Sequence, residues 1–212
     1  MPFTNFPLVP APLAVLAFLG AAGLTVTLLA GAGVAALAHR SPLARKLFAV
    51  GIAVFTFYGI LLGVLGAATR ERTVPPGGEK FFCEIDCHIG YSVTGVRDAA
   101  EAGVRRVVVT ARARFDETTI SARRGNAPLT PNPRAAALVD SGGRRFPVDA
   151  AGLAALNAPL TPGSSNTADL VFGVPADAEN LRLSLVESEG PVRVLLGHER
   201  APFAGETLLA LK

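Results

Sequence analysis

The sequence predicts a pair of membrane-crossing helices followed by an all-β, two-sheet sandwich, and three observations carry that prediction. Two long stretches hold no charged residue, every acidic residue falls after position 69, and beyond that point apolar residues recur at every second position. Half of the 212 residues are hydrophobic and only 17% are charged, where a soluble domain carries roughly a quarter. Part of the chain therefore needs lipid.

Residues 1–12 carry no charged side chain and read as a short extracytoplasmic N-terminus. The hairpin, 13–69, comprises helices over Leu13–Ala38 and Leu47–Thr69, both free of charge and longer than the ~20 apolar residues that cross a hydrocarbon core. A cleaved signal peptide would need a basic start and a shorter apolar run. Arg40, Arg45 and Lys46, the basic residues before position 70, all lie in the connection 39–46. The excess of positive charge places that connection in the cytoplasm and both chain ends outside. Lipid is thus the first expected partner, and the location a bacterial cytoplasmic membrane with the C-terminal domain facing the periplasm or exterior. Gly59, Gly63 and Ala67 recur every four residues in the second helix, as do Gly31 and Ala35 in the first. Small residues at that spacing let helices pack closely, either within the hairpin or against another membrane subunit. Neither span holds Asp, Glu, Lys, Arg or His, which removes the usual marker of a proton or ion pathway.

Thr73-Val-Pro-Pro-Gly-Gly78 is a turn signal, and 70–78 reads as a linker to a domain over 79–212. Residues 70–212 hold 17 Lys and Arg against 17 Asp and Glu, so the pI reflects the helix connection. It does not indicate a nucleic-acid surface, which needs basic residues clustered on the folded domain. Val107, Val109, Ala111, Ala113 and Phe115 alternate with Val108, Thr110, Arg112 and Arg114, the pattern of a half-buried strand. Leu181, Leu183 and Leu185 alternate likewise. Further strands are expected at 81–85, 90–97, 134–140, 144–148, 167–174, 191–196 and 206–211, with a turn at Ser141-Gly-Gly143 and one short helix at Ala150–Leu156. Many short strands divided by turn residues predict the two-sheet sandwich.

Leu160-Thr-Pro-Gly-Ser164, then Leu170-Val-Phe-Gly-Val-Pro175, then Leu181-Arg-Leu-Ser-Leu185 resembles the second half of a family of bacterial extracytoplasmic immunoglobulin-like domains of unknown function. The resemblance covers about residues 90–212. It implies an immunoglobulin-like sandwich, anchored at the membrane and engaged in binding.

Cys83 and Cys87, the two cysteines, share a short stretch with His88. In a straight strand they would lie ~13 Å apart, too far for a disulfide, whose Cα atoms approach within ~7 Å. A tight turn brings them together. Four readings stay open: a disulfide, favoured by an oxidising compartment; copper or zinc on Cys83, Cys87 and His88, since thiolate and imidazole suit both metals; covalent haem; and inert thiols. The Cys-x3-Cys spacing is similar to that of copper chaperones for cytochrome oxidase assembly and of the oxidase copper loop. Tyr91 and Thr94, however, stand where that loop has His and Met. His198 is a candidate fourth ligand, against a surface histidine at a strand end. Glu84 and Asp86 are candidate supporting carboxylates, against solvated strand charges.

Nucleophile-elbow, phosphate-loop, metalloprotease and dinucleotide signatures are missing. Asp116 and Glu117 should point to opposite faces at a strand end, and Arg123, Arg124 and Arg134 frame an exposed loop, 125–133. The sequence therefore reads as a non-enzymatic accessory or binding subunit with a membrane or extracytoplasmic protein partner. The alternative is a copper-binding or redox protein serving assembly or electron supply of a respiratory complex through Cys83, Cys87 and His88.

Overall fold

A computed structural model describes residues 3–83, 87–101, 104–119, 125–148, 150–186 and 191–211. The chain forms two units. One comprises residues 1–5, 70–190 and 205–212, the other residues 6–69 and 191–204.

The first unit is a β-sandwich of two five-stranded sheets. The first sheet has the order β1 (Phe3–Thr4), β3 (Lys80–Phe82), β4 (Ile89–Glu101), β5 (Val104–Phe115), β8 (Ser165–Val174). The second has the order β2 (Arg72–Val74), β10 (Thr207–Ala210), β9 (Arg182–Val186), β6 (Ala135–Val139), β7 (Arg145–Pro147). Pairing is antiparallel except at one edge of each sheet, where β1 runs parallel to β3 and β2 parallel to β10. The expected alternation in β5 holds throughout: Val107, Val109, Ala111, Ala113 and Phe115 are buried. They meet Leu138, Leu183, Leu185 and Leu209 of the second sheet in one core. A bulge between Val93 and Gly95 shifts the register of β4 on β5. Asp140 closes the β6–β7 turn by accepting the Gly142 and Arg144 amides at 2.9 and 2.8 Å. Helix α3 (Ala150–Leu156) packs on β8, where Gly152 is required because a Cβ there would lie 2.5 Å from the Asp169 carbonyl oxygen.

Three segments differ from expectation. Residues 72–74, within the expected linker, form β2 against β10. Residues 191–194 form a 3-10 turn where a strand was expected over 191–196. In the loop 125–133, Leu129 bridges to Leu160 in both directions, at 2.8 and 2.7 Å.

The second unit holds two long apolar helices, α1 (Ala11–Leu37) and α2 (Ser41–Ala68). The connection is tighter than expected: Ala38, His39 and Arg40 make the turn with His39 at φ 58°, so Arg45 and Lys46 lie on the first turns of α2. The helices pack antiparallel. Their seam passes Gly51, whose Cβ position lies 3.2 Å from Leu29, and Gly31, 3.4 Å from Leu47. Away from the seam the large side chains are uncovered, as at Val34, Phe55 and Phe57, each about two-thirds exposed. Residues 191–204 belong to this unit as a chain of turns: Leu195 donates to Val192, Ala201 to His198, and Ala204 to Ala201.

Candidate functional site

The cysteines sit where β3 ends. Asn5, just past β1, fixes the Cys83 backbone from both sides: its amide donates to the Cys83 carbonyl at 3.3 Å and its Oδ1 accepts the Cys83 N–H at 2.9 Å. Cys83 and Cys87 are joined by a disulfide, with Cα atoms 4.2 Å apart. The straight-strand alternative is thereby excluded. The thiolate is the metal-binding form of cysteine, so in this state neither sulfur has the chemistry to hold copper or zinc.

His88 is buried and its Nδ1 lies 2.6 Å from Thr119 Oγ1. The Thr119 hydroxyl donates to the Asp116 carbonyl at 2.7 Å, which leaves its oxygen to accept. We therefore assign Nδ1 as the donor in this contact. The His88 ring packs 5.7 Å from the Phe115 ring. His198 belongs to the other unit, where it is buried, accepts the Arg200 N–H at 3.0 Å through Nδ1, and meets Phe6 edge-on. The surface position at a strand end is not what the structure shows. Among the described residues no group of three or more His, Cys, Asp or Glu is arranged to hold a metal. Glu84, Asp86, Arg123 and Arg124 lie outside the described residues.

Of the helix-packing stripe, a Cβ at Gly59 would meet nothing within 4 Å, Gly63 faces the Phe203 ring, and Ala67 is exposed. The seam between the helices runs instead through Gly31 and Gly51.

Charged side chains on the outer sheet faces are extensively paired. Glu79 accepts from Arg114 at 2.7 Å and Arg112 at 3.1 Å, and Arg114 also reaches Asp116 at 3.2 Å. Arg114 holds the Glu79 carboxyl below the usual carboxylate range, and the Thr118 hydroxyl does the same for Asp116. On the second sheet, burial opposes the Glu206 charge, yet Lys80, Ser184 and Arg145 together pull its pKa down. Asp140 is lowered by the Arg144 guanidinium. A general acid needs the opposite shift. None of these four carboxyls is placed to give up a proton at neutral pH.

One side of the sandwich is concave in a way that no sequence motif marks. A cleft of about 880 Å³ opens between the sheets, floored by Val96, Val107 and Leu181 and rimmed by Asp98, Arg105 and Arg182. Arg105 is held by Asp98 at 2.8 Å and by the Ala178 carbonyl at 3.2 Å. The cleft draws on five strands and on the turn before β9, so no local motif announces it.

Neither any family description nor any curated protein sequence matches the chain. Two solved structures are similar. One is an uncharacterized β-sandwich protein from Clostridium difficile 630, at 9% identity and TM-score 0.39, covering 68% of this chain and 96% of that one. The other is the yjhA protein from Bacillus subtilis, at 12% identity and TM-score 0.38, covering 66% of this chain and 99% of that one. At these scores neither likeness bears on what the protein does.

Proposed function

We propose that the protein is a membrane-anchored, extracytoplasmic accessory or binding subunit without catalytic activity of its own. The observation that carries this reading is the hairpin's uncovered apolar surface, from Leu16 and Val34 on α1 to Phe55, Phe57 and Ile60 on α2. Helices of 27 and 28 residues reach about 40 Å at 1.5 Å per residue, enough to span the ~30 Å hydrocarbon core with some tilt. The positive charge of Arg40, Arg45 and Lys46 at their connection favours the cytoplasmic side for it. The sandwich then stands outside a bacterial cytoplasmic membrane as an immunoglobulin-like module. Many of its described charges are held in ion pairs, and its cleft is open to a partner protein.

Purification of the full chain in mild detergent from its native membrane should return a stoichiometric protein partner. Recovery of a monodisperse, partner-free chain would contradict the reading. Copper handling by Cys83, Cys87 and His88 would first require reduction of the disulfide.

A further inference from the structure

The segment 191–204 contains one feature that the folding of its unit does not account for. Phe203 is 82% exposed, and its backbone adopts φ 68°, a conformation that is an outlier for a bulky side chain. Strain kept at an exposed aromatic residue points to a use for that position.

The surroundings hold it there. Gly66 on α2 admits the Pro202 carbonyl so closely that a Cβ would lie 2.0 Å from its oxygen. Gly197, at φ 72°, lets the segment approach Val9. The Tyr58 hydroxyl donates to the Val194 carbonyl at 2.7 Å. Phe203 consequently lies alongside Gly63, with its ring 4.0 Å from where a Cβ would stand. Ile60 and Val64, one turn before and one residue after Gly63 on α2, are themselves about 60% exposed, so the Phe203 ring lies on the same uncovered apolar helix. Gly63 precedes the last residue of α2, Ala68, by five positions, about 7.5 Å along the axis at 1.5 Å per residue. On the membrane-spanning reading this lies near the outer end of the span.

We propose that Pro202 and Phe203 form a lipid-inserting tip, which places the Phe203 ring among the upper acyl chains of the outer leaflet beside α2. The occupant of this surface is phospholipid, and the inference rests on the membrane-spanning reading of the hairpin.

The chain contains no tryptophan, so Phe203→Trp gives a single reporter, and Phe55→Trp, midway along α2, gives a control. Each full-length variant is reconstituted in phosphatidylcholine vesicles carrying bromine at shallow or deep acyl positions, and separately exposed to iodide in the water. Trp emission from F203W should be blue-shifted, lost most strongly to shallow bromine and insensitive to iodide, while F55W responds most to deep bromine. F203W quenched by iodide and not by bromine, with F55W still responding, would overturn the tip alone. So would F203W shielded from both quenchers, which would mean that protein covers it. If neither variant responds to bromine, the membrane reading fails and the tip with it.

Discussion

At Lys80 a single ammonium group replaces a stretch of backbone ladder. Strands β9 and β10 pair at Leu183 with Leu209 and at Arg182 with Ala210; two residues further, Leu185 and Thr207 would face each other. Instead Lys80, fully buried, reaches across from the first sheet and donates to the carbonyls of Thr207 at 2.7 Å and Leu185 at 3.4 Å. Its ammonium also lies 5.0 Å from the centre of the Phe82 ring. Lys80→Met removes this donor from two buried carbonyls, and an unmade buried hydrogen bond costs about 1–3 kcal/mol. Denaturant unfolding of the full chain in detergent should show a loss of about 2 kcal/mol or more, and an unchanged midpoint would contradict this role. The strand alternation that made the core of β5 legible could not show this, because a lysine in a three-residue strand reads as solvent-facing until the opposite sheet is known. The carboxyls give a second expectation. Glu79, Asp116, Asp140 and Glu206 all sit below their ordinary values. Their stabilisation is complete above the usual carboxylate pKa of about 4 and is lost as pH falls through the lower folded values. The thermal midpoint should therefore drop on acidification below about pH 4, and Glu206→Gln should lessen the drop; a midpoint that rises with acid would refute the assignment.

At the scale of elements, strands bounded by clear turn residues were legible even when short, as at β7 and β10. The short edge strands β1 and β2 are joined by parallel pairing to β3 and β10, far away in sequence, and nothing local marks them. The segment 191–196 has apolar residues in strand-like number, but Pro191 lacks an N–H for a ladder and Gly197 turns the chain at positive φ. The cysteine pair was legible as a pair, though not its state, since the choice depended on the backbone between the two residues. That choice can be checked. A crosslink closing so short a loop stabilises by about 2 kcal/mol in the chain-entropy account, so Cys83→Ser should lower stability by that order and remove the effect of reductant. Thiol titration and elemental analysis of the untreated full chain should find no free thiol and no stoichiometric metal. Two free thiols with bound copper or zinc would replace the disulfide with the metal site.

For the molecule as a whole, the two long apolar helices were legible because long uncharged runs show in composition without any tertiary detail. The return of residues 191–204 to the helical unit was hidden, since it rests on Gly66 and Gly197 making room for a segment more than 120 residues away from α2. The cleft was hidden for the same reason. On the proposed reading, the hairpin crosses the membrane with its turn inside and the sandwich outside. The most direct test is a membrane-impermeant maleimide applied to intact bacterial cells that express the full chain with a single added cysteine at Ser41→Cys or Asn126→Cys. Labelling at 126 in intact cells, and at 41 only after permeabilisation, is the expected result. Labelling of 41 without permeabilisation, or of both positions from the same side, would contradict it.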